Sequence, residues 1–213
     1  MALTGFDPEI VSRSINAVKS AYDELIKALG DDMQREFVGG MSDKWACKNA
    51  QEFFRDAFKP AIDGLIDTSN KIFQSVADSM NDAGRAWATQ TNTSYSPVSF
   101  STIPKKIDIS IIQENIGGVR GIDLANANTV ASKLSTISSS ASSALSRAQQ
   151  AVQDCGFLGG SQASNLIASL NTIKSKIDKA TEDISTESKN AISKTVQTYS
   201  DTEGKVSQAF SAE

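Results

Sequence analysis

The sequence predicts an all-α fold, an antiparallel four-helix bundle made of two long helical hairpins that form a pseudo-dimer within one chain. Four stretches carry apolar residues at intervals of three and four, the spacing of an amphipathic helix. A glycine-marked turn occurs twice, and the helical period is lost between the two copies. Two hairpins that each leave an apolar stripe uncovered can bury both stripes against one another. The predicted units are residues 1–88, a connector at 89–122, and residues 123–213.

The repeat is most visible in the turn of each hairpin. A large apolar residue is followed two positions later by a small one, and then by an Ala and a second large apolar residue at the start of the next helix. The two copies read Trp45-x-Cys47-x-x-Ala50-x-x-Phe53 and Leu158-x-Gly160-x-x-Ala163-x-x-Leu166. An internal repeat of this kind constrains the architecture more than any single residue does.

The first helix begins at Asp7 and Pro8, because aspartate caps a helix and proline fits its first position. The pattern predicts a helix from about Pro8 to Leu29 or slightly beyond, and Gly39–Gly40 then marks a turn. Its apolar stripe is Val11, Ile15, Val18, Tyr22, Leu25 and Leu29.

The second helix is predicted to run from Trp45 to Trp87. Pro60 lies inside it and removes one backbone hydrogen bond, so we expect a kink between Asp56 and Pro60. The stripe continues through Phe54, Phe58, Ala61, Leu65, Ile72, Val76 and Ala83.

The connector at 89–122 is rich in Thr, Asn, Ser, Pro and Gly. Its middle, from Phe100 to Ile112, carries β-branched residues in partial alternation, which indicates an extended strap lying on the helices rather than a free linker. A short β-hairpin in this segment remains an open alternative.

Asp123 is the predicted N-cap of the third helix, and Gly156 to Gly160 separate it from the fourth. The third stripe is Ala127, Val130, Leu134, Ile137, Ala141, Leu145, Ala148 and Val152, whose small residues permit close packing. The fourth stripe is Leu166, Leu170, Ile173, Ile177, Ala180, Ile184, Ala191, Val196 and Tyr199, with a continuation through Val206 to Phe210.

Composition argues against several classes of function. The net charge is -4 and no cluster of Lys and Arg occurs, so we expect no nucleic-acid partner. The chain has no His, which removes the commonest catalytic base and most zinc sites. We therefore expect no enzyme, no catalytic residue, no metal and no cofactor. No run of about 18 apolar residues occurs, so we also expect no stable membrane insertion.

Cys47 and Cys155 each lie beside one of the turns. Small apolar fillers are the expected role, since no activating His exists. Antiparallel hairpins would hold the two thiols at opposite ends, whereas parallel hairpins could bring them into disulfide distance. A count of free thiols discriminates the two arrangements.

A helical hairpin with a Trp-x-Gly turn resembles the WXG family of small type VII secretion substrates. The whole chain resembles two such units fused. Its first turn reads Trp45-Ala46-Cys47, with Cys in place of the Gly of the family, and its second reads Leu158-Gly159-Gly160, which is similar to the related LXG form.

The resemblance implies a second element, a Tyr-x-x-x-Asp/Glu signal in the C-terminal helix or tail, which Tyr199 and Glu203 match. Residues four apart share one helical face, so a receptor could bind ring and carboxylate together. In the family the hairpins of a pair lie antiparallel, which would place Trp45 near Tyr199. The resemblance thus implies a composite export signal of Trp45, Cys47, Tyr199 and Glu203, presented to a secretion ATPase or chaperone.

The same resemblance implies export by a Gram-positive bacterium. Because the N-terminal residues lack a basic segment and an apolar segment, we expect secretion without a cleaved signal peptide. A chain that supplies both hairpins is expected to be a monomer.

Several alternatives remain at this point. Trp45 is either a core residue that packs under the turn or an exposed binding anchor, and Tyr199 is either a core position or a recognition residue. The chain could instead be a non-exported adaptor or chaperone that binds a helical partner, such as the targeting domain of a toxin. A ligand-binding helical enzyme would need convergent polar groups inside the bundle, which the apolar stripes do not contain.

Overall fold

The computed structural model describes residues 6–211, and for residues 206–211 it describes the backbone alone. The prediction of an all-α protein is confirmed, because four long helical stretches make up most of the chain. Two strands of two residues each are the only regular extended structure among residues 6–211. The predicted side-chain contacts of Val206 and Phe210 lie outside the described residues.

Helix α1 spans 8–41 and is longer than predicted. Asp7 caps it by accepting a hydrogen bond from the Glu9 backbone N–H at 2.9 Å. The helix is α-helical over Pro8–Ile26, π-helical over Lys27–Val38 and α-helical again over Gly39–Met41. Beyond Leu25 one row of large buried side chains recurs every four positions, at Leu29, Met33, Phe37 and Met41. This interval exceeds the 3.6 residues of an α-helical turn, and the wider π-helical turns keep the stripe on one face.

Helix α2 spans 48–91 and also contains a π-helical segment. It is α-helical over Lys48–Glu52, π-helical over Phe53–Phe58 and α-helical over Lys59–Thr91. The π-helical segment ends just before Pro60, which has no N–H to donate. The π-helical segment overlaps the predicted kink at 56–58 but begins three residues before it. The helix ends at Asn92, whose left-handed backbone has φ 53°.

The prediction that α2 begins at Trp45 is wrong. Trp45–Ala46 form strand β1, which pairs antiparallel with strand β2, Gly121–Ile122. The register places Trp45 opposite Ile122 and Ala46 opposite Gly121. The backbone must be extended here to reach the end of the connector, so the helix starts only after Cys47.

The second half of the chain contains helix α3, Leu124–Asp154, and helix α4, Gly160–Ser211. Asp123 caps α3 by accepting a hydrogen bond from the Asn126 backbone N–H at 3.2 Å. A short loop over 155–159 then reverses the chain.

Each helix packs against two others. α1 lies against α2 and α3, and α4 lies against the same two helices. The buried apolar residues of all four helices form one continuous core. Salt bridges between α1 and α3 join Glu36 to Lys133 and Glu24 to Arg147, so these two helices run in opposite directions.

Helices α2 and α4 also run in opposite directions. Asn49 near the start of α2 contacts Thr195 late in α4, while Trp87 near the end of α2 contacts Phe157 just before α4. The turn of the first hairpin therefore lies beside the far end of α4, and the turn of the second lies beside the end of α2.

The connector between α2 and β2 lies along the surface of α1 and α2 in extended form. Ile107 and Ile112 are its most deeply buried residues, and both belong to the continuous core. A tight turn at Gly117–Gly118, both with positive φ, pairs Ile116 with Val119. No strand forms between Phe100 and Ile112, so the alternative of a β-hairpin there is wrong.

Candidate functional site

The turn of the first hairpin is fixed to the start of α3. The Asp123 backbone N–H donates to the Lys44 carbonyl at 2.7 Å, directly beside the β1–β2 pair. Asp123 therefore uses its backbone to hold the turn and its side chain to cap α3. These bonds connect the two hairpins through the main chain, and they place Trp45 between them.

Trp45 is a core residue, with none of its surface exposed. Its ring lies 5.7 Å from that of Phe53 and 6.4 Å from that of Phe54, measured between centroids. Further aromatic contacts extend the cluster to Phe37 and Phe58. Of the two interpretations of Trp45, the structure therefore favours packing inside the turn.

Trp45 nevertheless contacts the C-terminal part of the chain, through Thr195 of α4. The indole Nε1–H donates to Thr195 Oγ1 at 3.2 Å, and Asn49 Nδ2 donates to the same oxygen at 3.2 Å. The hydroxyl in turn donates to the Ala191 carbonyl at 2.8 Å. Cys47 Sγ lies 3.6 Å from this oxygen. Thr195 is buried, and its hydroxyl is the acceptor for the indole N–H of the fully buried Trp45.

Tyr199 lies one helical turn after Thr195 and is half-buried, while Glu203 is exposed. Burial raises the pKa of the Tyr199 hydroxyl, and the charge of Arg120 acts in the opposite direction. The structure thus brings Trp45, Cys47 and Tyr199 to the same end of the molecule. Tyr199 and Glu203 share one face of α4.

The prediction that Trp45 and Cys47 belong to an exposed composite surface is wrong. Trp45 is fully buried and Cys47 is 7% exposed, because the aromatic cluster and Thr195 cover them. A partner that approaches the folded protein meets Tyr199 and Glu203 but not the indole. Trp45 can act on such a surface only by holding α4 in place.

Leu158 and Gly160 lie at the opposite end of the molecule. Leu158 packs against the core and is half-buried, and Gly160 is the exposed first residue of α4. The neighbouring Phe157 accepts a hydrogen bond from Trp87 Nε1–H through its carbonyl at 2.7 Å. The second turn therefore has no contact with the Tyr199 face.

Cys155 is also at this second end, and it is fully buried. Burial raises the pKa of its thiol. Both cysteines are free. This agrees with hairpins in antiparallel orientation, which hold the two thiols at opposite ends.

The sequence interpretation missed Thr195 because it followed apolar residues only. Beyond Ile184 the buried positions of α4 are Ser188, Ile192 and Thr195, whereas Val196 is 38% exposed. Extending the intervals of four and three from Ile184 would have reached Thr195 and Tyr199 on the buried side. Because Ser188 and Thr195 are polar, apolar spacing alone did not identify them as buried positions of α4.

Exposed apolar residues collect at the Trp45 end. They lie in the Gly117–Gly118 turn, at the first position of α3 and next to Thr195, and Val119 is 69% exposed. We call these residues the end surface: Ile116, Val119, Leu124 and Val196. Exposed apolar residues commonly mark a protein-binding site where they adjoin, as Ile116 and Val119 do in their bridge.

The chemistry available within residues 6–211 is limited. No three metal-ligating side chains cluster in this part of the chain. None of its helices is both long enough and apolar enough to cross a membrane. A shallow groove of about 300 Å³ between α2 and α4 is lined by charged residues of mixed sign, including Glu52, Asp56, Glu187 and Lys194.

Comparison of the chain with known proteins found no match. No protein-family model matches the sequence, and neither a curated protein nor a solved structure matches the chain.

Proposed function

We propose that this chain is a non-enzymatic substrate of a type VII secretion system, built as two WXG-type or LXG-type hairpins that form one antiparallel four-helix bundle. The observation that carries the proposal is the hydrogen bond between Trp45 in the first turn and Thr195 in the last helix. It links the two elements that the export signal requires, although they lie in different hairpins.

In this proposal Tyr199 and Glu203 contact the secretion ATPase or a dedicated chaperone. The two side chains are separated by one helical turn, so one receptor groove can accept both. Trp45 is a positioning residue, because its bond to Thr195 holds α4 one turn before Tyr199. The end surface, with its exposed Ile116 and Val119, supplies apolar contact area beside the signal.

Export of variants from a host that has the secretion system tests the proposal. Tyr199→Ala and Glu203→Ala are expected to abolish or strongly reduce the protein in the culture medium while it accumulates in the cells. Gln197→Ala changes an exposed residue on the same helix and is the matched control. Circular dichroism of the purified variants checks that each one folds.

Trp45→Ala is also expected to reduce export, but indirectly, because loss of the indole displaces the part of α4 that carries Tyr199. Thr195→Val separates this effect from loss of the large indole, since it removes the hydroxyl that accepts the Trp45 bond and leaves the indole in place. Normal export of folded Tyr199→Ala and Glu203→Ala would refute the proposed signal.

The end surface also fits the second candidate function, a non-exported adaptor that binds a helical partner. An exported pseudo-dimer is expected to be a monomer in solution, whereas an adaptor recruits its partner in the producing cell. Light scattering of the purified protein, together with purification of the tagged protein from its own host, distinguishes the two. A stoichiometric helical partner that remains inside the cells would favour the adaptor.

A further inference from the structure

Part of the connector is bound to α1 and α2 in the way that a receptor binds an extended peptide. We call residues 98–112 the strap. At four strap residues, side chains of the helices bond both the backbone N–H and the backbone C=O. These residues are Val98, Ile103, Ile107 and Asp108.

The amide side chains act as substitutes for a neighbouring β-strand. Asn81 accepts from the Val98 N–H at 2.9 Å and donates to the Val98 carbonyl at 3.0 Å. Gln34 does the same for Asp108, with both bonds at 2.8 Å. Because these bonds are made to the backbone of the strap and not to its side chains, they can hold an extended chain of almost any sequence.

Sequence selectivity comes from the apolar side of the strap. Val98, Phe100, Ile107, Ile109 and Ile112 point towards the core, and Ile107 and Ile112 are buried. Phe100 packs edge-on against Tyr22 of α1, with ring centroids 5.1 Å apart. Val98 and Phe100, and again Ile107 and Ile109, are two residues apart, which is the spacing of an extended peptide with one buried face. A turn at 110–111 then brings Ile112 to the same side.

Charge complementarity adds to this selectivity. Lys105 forms a salt bridge with Asp31 of α1, and Lys106 forms one with Asp67 of α2 at 2.6 Å. Asp63 on the same face accepts the Ile107 N–H at 2.8 Å. The helices therefore present carboxylates where the strap presents two adjacent lysines.

We infer that the face formed by α1 and α2 is a binding site for an extended peptide with a basic pair followed by two isoleucines two residues apart, and that the strap is its built-in, displaceable ligand. This site includes neither Tyr199 nor Glu203, and the inference does not depend on export. The partner it fits in trans is a segment with the same pattern of charge and aliphatic residues.

The full chain can be cut on both sides of the strap to test the inference. Recognition sequences for a site-specific protease are inserted after Thr93 and between Gly117 and Gly118, where the chain is exposed. After cleavage the strap fragment is expected to co-elute with the two helical fragments. A fluorescent synthetic peptide of residues 94–116 is then expected to replace it, which fluorescence anisotropy measures.

Variants assign the binding to the contacts named above. Gln34→Ala removes two backbone hydrogen bonds and is expected to weaken peptide binding about tenfold. Gln74→Ala is the matched control, since the Gln74 side chain bonds only to Asp78 of its own helix. A peptide with Lys105→Glu and Lys106→Glu is expected to bind at least about tenfold more weakly.

A second measurement uses the uncut protein and does not depend on fragment assembly. The backbone amides of Val98, Ile103, Ile107 and Asp108 are expected to exchange with deuterium through local opening, at a lower free energy than amides in the core of α1 and α2. Exchange of these amides only by global unfolding would overturn the inference. Failure of the labelled peptide to bind the cut protein, or equal binding of the charge-reversed peptide, would overturn it as well.

Discussion

The indole N–H of Trp45 donates a hydrogen bond to the hydroxyl of Thr195, 150 residues further along the chain. Both residues are fully or almost fully buried, so the bond forms in a region without competing water. Asn49 donates to the same oxygen. A single hydroxyl thus joins the turn of the first hairpin to the last helix of the second.

Thr195→Val is expected to destabilise the protein by about 1–3 kcal/mol, because it leaves the buried Trp45 N–H without an acceptor while preserving side-chain volume. Urea unfolding followed by circular dichroism measures the change. Thr198→Val is the control, since Thr198 is exposed and bonds only to the Lys194 carbonyl. Equal stability of the two variants would contradict a structural role for this hydroxyl.

Gly84 and Gly64 lie in the same helix but are expected to respond to alanine in opposite directions. A Cβ at Gly84 would lie 2.7 Å from the ring of Tyr95, whereas a Cβ at Gly64 meets nothing within 4 Å. Gly64→Ala is expected to raise the free energy of unfolding by about 0.5–1 kcal/mol, since alanine favours the helix. Gly84→Ala is expected to lower it by about 1–3 kcal/mol, as overpacking does.

Thermal and urea unfolding of both variants check this pair. Tyr95→Ala in the Gly84→Ala background is expected to relieve the clash, which identifies its cause. A stabilising Gly84→Ala would mean that Tyr95 does not pack against α2.

The carboxyl group of Glu36 is expected to titrate at unusually low pH. A hydrogen bond from Lys133 is the main cause that lowers the pKa of Glu36 to about 2, and Arg35 contributes. A lowered folded-state pKa means that this contribution to stability is full above the ordinary value of 4.5 and is lost as the pH falls towards 2. The pair is solvent-accessible, so added salt weakens it.

Carboxyl titration followed by NMR measures the pKa of Glu36. Lys133→Met is expected to move it towards the ordinary value, although Arg35 still holds it below that value. Lys174→Met removes a salt bridge within α4 and is expected to leave Glu36 unchanged. A Glu36 pKa near 4.5 in the unaltered protein would show that the salt bridge between Glu36 and Lys133 does not persist in solution.

The two thiols are expected to be unreactive in the folded protein. Cys47 and Cys155 are buried and lie at opposite ends, and burial raises the pKa of Cys155. A thiol reagent is therefore expected to label no cysteine in buffer and both cysteines in urea. An intramolecular disulfide in the folded protein would contradict the antiparallel arrangement of the hairpins.

The helices were predictable because their apolar stripes repeat along the chain, independently of their partners. The stripe from Val11 to Leu29 sufficed to locate α1, but its continuation to Met41 was missed because intervals of four alone do not fit an α-helix. The start of α2 was predicted three residues too early, again because the prediction used local spacing alone. Trp45 fits the helical pattern, and only the pairing of β1 with residues far along the chain makes its backbone extended.

The candidate site was predictable in part. The resemblance placed Trp45 near Tyr199, and their shared neighbour is Thr195. The burial of Trp45 could not be read from the sequence, since a Trp at a turn suits both a core and a surface. Its exposure depends on the aromatic residues of α2 and on a polar residue of α4.

The sequence by itself determined the number of helices, their apolar faces and the extended character of the connector, because these follow from the local spacing of residues. The tertiary structure decided which residues meet. It buried Trp45, selected Thr195 as its partner, and bonded the strap backbone to side chains of α1 and α2. Such contacts join positions far apart in the chain, and their energy depends on burial and geometry that local patterns do not contain.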